Sequence, residues 1–303
     1  MSNVSNLLQM QIILLTLMAV GLICYKVKII DDRSRSSLSE LVLNVFLPCT
    51  TLASFLNTDP SKIGSMGVIL AVSVGVLTFA FLISKPLYMK FNPEQKKVLT
   101  YATIISNANF LGNPIIESIY GLDGLSYTAV YLIPVRVTIL SLGIMIFAGG
   151  KGNVKKIIFH PCLIATYLGF AAMVTGFEAP PLFSKIILMV GSCTTPVSMI
   201  VVGSILGLVE PKKLVSVLAF FYSFIRLIFI PLVVLGIMLL IRPDPMVIGV
   251  TVVLSGTPAP ITTTILASKY KSDSVLASKM LLVSTIISMV SIPALLWLLQ
   301  AVM

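Results

Sequence analysis

Ten apolar stretches, each about 20 residues long, constrain this chain more than any other feature of its sequence. A helix needs ~20 apolar residues to cross the hydrocarbon core of a bilayer. The sequence therefore predicts an all-α polytopic membrane protein that lies in a lipid bilayer and has only short connections. We predict its ten transmembrane helices over residues 6–25, 38–57, 62–83, 98–119, 126–149, 157–176, 182–207, 214–241, 246–268 and 275–300.

The charged residues are few and unevenly placed. They make up 11% of the chain, against about 25% in soluble proteins, which excludes a water-soluble enzyme. Fifteen of the 21 Lys and Arg residues lie in the odd-numbered connections, whereas the even-numbered ones hold only Lys62, Lys185 and Arg242. Because positive connections favour the cytoplasm, we expect both termini on the extracytoplasmic side of the plasma membrane. Topology accounts for most of the net charge of +10, so we expect no nucleic-acid partner.

Two polar patterns recur about 145 residues apart. Leu47–Thr51 of the second predicted helix corresponds to Cys193–Pro196 of the seventh, and Pro114 of the fourth corresponds to Pro258 and Pro260 of the ninth. A repeat of five helices is odd-numbered, so its second copy enters the membrane upside down, as in many secondary transporters. The predicted domains are a first five-helix repeat over residues 1–149 and an inverted second repeat over residues 157–303.

The fourth and ninth predicted helices both contain residues that interrupt a helix. The fourth has three asparagines, a glycine and a proline at its centre, and the ninth has two prolines two residues apart. Proline removes a backbone donor, and unpaired backbone at membrane depth is tolerated only inside protein or beside a water-filled cavity. We therefore predict that these helices are broken and cross near the midplane, where they form a binding site. The candidate binding residues are Asn107, Asn109, Gly112, Asn113, Pro114, Thr257, Pro258, Ala259, Pro260 and Thr262.

Helix ends at such a crossing favour an anion. We expect the second half of each broken helix to begin after Pro114 and after Pro260. Its free N–H groups and positive dipole end stabilise an anion by ~0.3–1 kcal/mol when exposed and by up to ~2 kcal/mol when partly buried. Asparagine amides and threonine hydroxyls add hydrogen bonds to a carboxylate. The predicted ligand is therefore an anion.

Two arginines are the deeply placed charges of the predicted helices, Arg136 in the fifth and Arg226 in the eighth. An arginine at a helix centre costs roughly 2.5–3.5 kcal/mol on insertion scales. In one interpretation it attracts the anion or takes the place of a coupling cation. In the other it neutralises carbonyl groups at the ends of broken helices, and the sequence leaves both open. Neither arginine is a proton carrier, because the guanidinium keeps its proton in proteins.

Other polar residues have simpler expected roles. Glu117 is expected near the outer surface, either solvated or as a proton or cation site. His160, which precedes Pro161, is structural or couples transport to protons. Asp31 and Asp32 are expected to form a solvated turn.

At the residues of the two breaks, the sequence resembles the auxin efflux carrier family, which includes plant PIN-formed auxin carriers and bacterial malate and malonate permeases. The resemblance covers nearly the whole chain. One departure concerns Thr262, since the family often has asparagine in this break. The matching positions are Asn107, Gly112 and Pro114 of the fourth helix, Pro258 to Thr262 followed by Ala267 and Tyr270 of the ninth, and Leu47-Pro48 of the second.

This resemblance implies the fold of the bile-acid sodium symporters. Helices one, two, six and seven would form a scaffold that makes a homodimer, and helices three to five and eight to ten would form a mobile transport domain. It further implies elevator-type transport of a small organic anion. The sequence lacks the long central loop of the plant carriers, since only residues 149–156 join the halves.

Function classes other than a carrier find less support. The chain has none of the motifs of metalloproteases, serine hydrolases or phosphate-binding loops, and no intramembrane pair of carboxylates for catalysis or for a metal. We expect that the protein is not an enzyme and that it binds no cofactor beyond a coupling proton or sodium ion. A sodium-coupled symporter and a passive anion channel remain as alternatives to the carrier.

Overall fold

The computed structural model describes residues 2–148, 159–177, 179–207 and 216–302, and these residues contain helices and connections but no β-strand. The all-α prediction is therefore confirmed for this part of the chain. The central connection predicted at 149–156 and the lysines at 212 and 213 lie outside the described residues. The helices are α1 Ser2–Lys26, α2 Asp32–Leu56, α3 Ile63–Leu87, α4 Pro93–Ile104, α5 108–120, α6 122–148, α7 Pro161–Thr175, α8 Pro181–Gly191, α9 Thr194–Leu206, α10 Val217–Ile241, α11 Pro245–Ser255, α12 Ile261–Lys269 and α13 Ser274–Val302.

Six stretches among the described residues are long and apolar enough to cross a membrane. The longest, Pro93–Phe147, has 55 residues and contains α4, α5 and α6. Shorter apolar helices, such as Pro161–Thr175 and Pro245–Ser255, lie between them. This pattern is that of a multi-pass membrane protein.

Local sequence explains where several helices begin. Pro93, Pro161, Pro181 and Pro245 each occupy the first helical position, where a missing N–H group leaves no hydrogen bond unmade. His160 caps α7 by accepting a hydrogen bond from the Cys162 N–H at its Nδ1 atom, as its structural interpretation implies.

The turn expected at Asp31 and Asp32 is instead the start of α2. Asp31 forms a capping box with Ser34, whose N–H and hydroxyl both donate to the Asp31 carboxylate, at 2.7 and 2.6 Å. The hydrogen bond from the Ser34 side chain lowers the pKa of the Asp31 carboxyl below its usual value. Asp32 pairs with Arg35 one turn later. Both aspartates are exposed, as expected, but they do not form a plain turn, because a Ser three residues after an Asp forms a specific cap.

Gly121 separates α5 from α6. Its φ of +62° is a left-handed conformation that side chains disfavour. Turns of π-helix, at Val42–Phe46, Ala108–Gly112, Ile139–Gly143 and Ile225–Phe229, lie within α2, α5, α6 and α10. Such turns shift the register of the side chains that follow them and are frequent at functional sites.

The first compact unit contains the described parts of residues 1–67, 109–130 and 155–210. In this unit α1 packs closely on α9. The approach is so close that a Cβ atom added at Gly203 would overlap the carbonyl oxygen of Met18. Small residues at such positions let helices approach in a membrane. Thr50 of α2 hydrogen-bonds to Thr194 of α9 at 2.7 Å, which joins the two similar polar runs of the sequence.

The second compact unit contains the described parts of residues 68–108, 131–154 and 211–303. Its interior includes α10 packed on α13, and the hydroxyl of Ser73 in α3 donates to the Tyr131 carbonyl at 2.6 Å. Each unit draws on both halves of the chain. The division into a scaffold and a transport domain stays a prediction.

Candidate anion-binding site

The break predicted in the ninth span lies between α11 and α12. The segment from Gly256 to Pro260 is not helical and is fully buried, and α12 begins at Ile261, directly after Pro260. Its polar groups are partly used inside the protein: the Ala259 N–H donates to the Ser284 hydroxyl at 3.0 Å, and the Thr257 hydroxyl donates to the Leu254 carbonyl at 2.8 Å. The ends of two helices thus meet a short extended segment inside the protein.

The break in the fourth span lies earlier than expected. α4 ends at Ile104, the next three residues are not helical, and the second half begins with a π-helical turn at Ala108. The expectation that this half begins after Pro114 was wrong. Pro114 is the seventh residue of this second half and lies two residues after the end of the π-helical turn, so it lies inside α5 instead of ending the break.

The two breaks are in contact through residues of the second unit. The N–H group of Asn107 donates to the Pro258 carbonyl at 2.9 Å, and the Ser106 hydroxyl donates to the Leu254 carbonyl at 3.3 Å. Nearby, the hydroxyl groups of Tyr101 and Thr262 are 2.8 Å apart. Backbone and side-chain hydrogen bonds therefore join the region of the break after α4 to the region of the break after α11.

Two buried side-chain donors in or directly after the two breaks have no hydrogen-bond partner among the described residues. They are the Nδ2 atom of Asn107 and the Oγ1 atom of Thr263. Asn107 is only 3% exposed and Thr263 is fully buried in the first turn of α12. A buried polar group without a partner costs about 1–3 kcal/mol, so native proteins keep such groups mainly where a ligand or water satisfies them. No side chain caps the N-terminus of α12, which leaves its positive dipole end uncompensated there.

Arg226 lies on α10 and bridges the ends of both broken helices. Its Nη1 atom donates to the Thr103 carbonyl at the end of α4 at 2.9 Å, and its Nε atom donates to the Thr257 carbonyl just after α11 at 3.2 Å. The side chain is 2% exposed. In this geometry the arginine neutralises carbonyl groups at the ends of broken helices, as one of the two interpretations expects, and it leaves open that the same arginine takes the place of a coupling cation.

Tyr222, four residues before Arg226, completes the cap on α4. Its hydroxyl donates to the Ala102 carbonyl at 2.9 Å, next to the carbonyl that Arg226 binds. Residues four apart lie on one face of a helix, so a single face of α10 satisfies two successive carbonyls. Sequence analysis did not single out this tyrosine, because its partner is 120 residues away.

Arg136 has a different environment. It is 4% exposed, and its Nη1 atom has no hydrogen-bond partner among the described residues. None of the ion pairs formed between described residues includes it. Within the part of the chain that the structure describes, Arg136 thus keeps one donor, Nη1, without a partner.

The remaining candidates of the fourth span belong to the first unit. The Asn113 side chain donates its Nδ2 hydrogen to the Asn109 carbonyl at 3.0 Å, which uses that amide within α5 itself. Gly112 and Pro114 are buried, and Asn109 is half-buried.

Glu117 is not the solvated residue that its position suggested. It is half-buried on α5 and accepts a 2.5 Å hydrogen bond from the hydroxyl of Thr195, in the first turn of α9. A carboxylate at a helix N-terminus interacts favourably with the helix dipole. This contact ties α5 to α9 within the first unit.

Comparison with known proteins identifies similar membrane transport proteins. The family described as membrane transport protein matches residues 7–157 and 151–296. A protein of Methanothermobacter thermautotrophicus named "uncharacterized transporter" is 27% identical over 285 residues, which are 92% of this chain and 94% of that protein. A protein of Rhizobium meliloti named "putative malonate transporter" is 23% identical over 150 residues, 50% of this chain and 47% of that protein.

Proposed function

We propose that this chain, which belongs to the membrane transport protein family, is a secondary transporter that carries a small carboxylate across the plasma membrane. The members of this family are transporters, which is consistent with the resemblance of the sequence to auxin efflux carriers. The name of the Rhizobium relative suggests a short dicarboxylate such as malonate as the first substrate to test.

One observation carries the proposal: buried donors in or directly after the two helix breaks have no partner among the described residues. Asn107 supplies an amide N–H and Thr263 a hydroxyl, and no side chain of the N-cap residue binds the N-terminus of α12. Donors without acceptors suit an anion, and hydrogen bonds to a charged partner are worth about 1.5–3 kcal/mol each.

We propose that Arg136 is the charged residue that binds the anion. Tyr101 lies against Gly143, where a Cβ atom would be 2.8 Å from the Tyr101 ring, and its ring centroid is 5.5 Å from that of Phe147. Tyr101 precedes the break by about one helical turn, and Arg136 precedes Gly143 by seven residues, or about 10 Å of helix. In the proposed topology α4 and α6 cross the membrane in opposite directions, which brings Arg136 to the depth of the break.

The transport cycle we propose follows from this site. The ten spans of the chain form two inverted repeats, with both termini outside. One group of helices, which contains the crossing of the broken helices, moves relative to the other group in an elevator-like movement. The similar runs around Thr50 and Thr194, which are in contact, support the repeat. A scaffold of spans one, two, six and seven would form the homodimer, and spans three to five and eight to ten would move.

Counterflow separates this carrier from a passive anion channel. Purified protein in vesicles loaded with unlabelled malonate should take up labelled malonate in a saturable way, because exchange needs a site that alternates between the two sides. Flux that rises linearly with concentration, without exchange, would identify a channel and contradict the proposal.

A variant series then tests the site. Arg136→Ala should lower exchange at least about tenfold, since a charge-assisted hydrogen bond is lost. Arg242→Ala is the matched control, because Arg242 is exposed at the end of α10 and should leave exchange unchanged. A folded Arg136→Ala protein with normal affinity and exchange would remove Arg136 from the site.

A further inference from the structure

The guanidinium of Arg226 fills a position that has the chemistry of a cation site. It binds the Thr103 carbonyl and the Thr257 carbonyl, which stand at the C-terminal ends of the first halves of both broken helices. In transporters with broken helices, unwound carbonyls and half-helix C-terminal ends are the groups that coordinate a coupling Na⁺ or H⁺. The Thr103 carbonyl lies in the last turn of α4 and the Thr257 carbonyl lies two residues beyond the end of α11, so a positive charge there is favourable.

The charge at this position is permanent. Arginine cannot be deprotonated in proteins, and none of the ion pairs formed between described residues includes Arg226. Tyr222 binds the neighbouring Ala102 carbonyl, so groups of α10 bind two successive carbonyls at the end of α4. A mobile cation would have to displace two charge-assisted hydrogen bonds to reach these oxygens.

We propose that Arg226 is a resident cation that replaces a coupling metal ion at the crossing, so that transport does not require sodium. The inference rests on the proposed function, because it concerns the same crossing of broken helices. The fixed positive charge holds the two carbonyl ends together, and the opposite, N–H-bearing ends stay available to the anion. This argument weighs against the sodium-coupled symporter.

The first measurement uses the unmodified protein. Malonate counterflow is compared in vesicles with sodium, and with sodium replaced on both sides by N-methylglucamine. Equal exchange rates support the resident cation. Exchange that requires sodium overturns it while leaving the carrier function intact, whereas the absence of saturable exchange in either buffer refutes the proposed function instead.

The second measurement asks whether removing the side chain creates a cation site. Arg226→Ala should lower exchange at least about tenfold, and guanidinium or sodium ions added to the buffer should restore a substantial part of it. Arg242→Ala, exposed and away from the breaks, should respond to neither ion. A folded Arg226→Ala protein that exchanges normally, or that no cation stimulates, contradicts the proposal.

A conservative variant covers the case in which Arg226→Ala does not fold. Arg226→Lys keeps the positive charge and loses the two-pronged geometry. A folded Arg226→Lys protein that exchanges malonate without sodium supports the resident cation, and one that is inactive in every buffer argues against it. A merely structural arginine would leave no dependence on added cations in any of these proteins.

Discussion

Replacing Asn107 tests whether the free amide at the crossing of the helix breaks holds an anion. The side chain is 3% exposed and its Nδ2 atom has no partner among the described residues, whereas its backbone N–H is bound to Pro258. Substitutions that change only the side chain keep the backbone bond between the two breaks. Asn107→Ala removes the donor, and Asn107→Asp replaces the amide with a carboxyl group of nearly the same size.

The two substitutions should differ in magnitude. Losing one hydrogen bond to a carboxylate costs about 1.5–3 kcal/mol, a loss of about 10- to 150-fold in affinity. Two like charges about 4 Å apart repel by about 4 kcal/mol at an effective dielectric constant of about 20, so Asn107→Asp should weaken binding about a thousandfold. We therefore expect Asn107→Asp to bind more weakly than Asn107→Ala, which in turn binds more weakly than the unmodified protein.

Isothermal titration of the purified proteins with malonate measures these differences directly. Asn57→Asp is the matched control, because it makes the same chemical change at an exposed helix end and should leave affinity unchanged. The thermal unfolding midpoint shows whether each variant is folded. A folded Asn107→Asp protein that binds malonate within about threefold of the unmodified affinity, less than the loss of a single such hydrogen bond, would refute the anion site at this amide.

The remaining predictions concern the contacts that shape the two units. Gly203→Ala should lower the unfolding midpoint by the equivalent of about 1–3 kcal/mol, because the added methyl group overlaps the backbone of α1. Gly67→Ala, where no atom lies within 4 Å of the new Cβ, should stabilise α3 by about 0.5–1 kcal/mol, and equal effects of the two would contradict the packing argument. Tyr101→Phe should cost about 0.5–1.5 kcal/mol in a denaturation experiment through loss of the bond to Thr262, and an unchanged midpoint would show that this bond contributes nothing. Glu117→Gln should cost about 0.3–2 kcal/mol by the same measurement, because the neutral amide loses the interaction with the N-terminal dipole of α9, whereas a more stable variant would refute this interpretation.

Much of the fold follows from local properties of the chain. Apolar stretches as long as a bilayer is thick can only form helices, because hydrocarbon offers no partners for backbone groups. Prolines two residues apart cannot continue a helix, so the break from Gly256 to Pro260 and the start of α12 at Ile261 were predictable. The cap formed by Asp31 and Ser34 is equally local and could have been recognised from its spacing.

The start of α5 shows where local rules fail. Pro114 marks a place where a helix can begin or bend, but the chain turns helical six residues earlier, at Ala108. Because a proline can begin a helix or lie inside a locally distorted one, the sequence permits either boundary. The observed boundary accompanies the hydrogen bond between Asn107 and Pro258, a contact between residues far apart in the chain.

The sequence by itself determined that this protein is an all-helical membrane protein with interrupted helices and two charges at depth, because these properties depend on residue type and spacing. Only the tertiary structure distinguished the two arginines. Arg226 is bound to the carbonyls of Thr103 and Thr257, whereas Arg136 keeps a donor without a partner among the described residues. In the sequence both are single arginines in apolar helices, and which of them meets an acceptor depends on how distant segments pack.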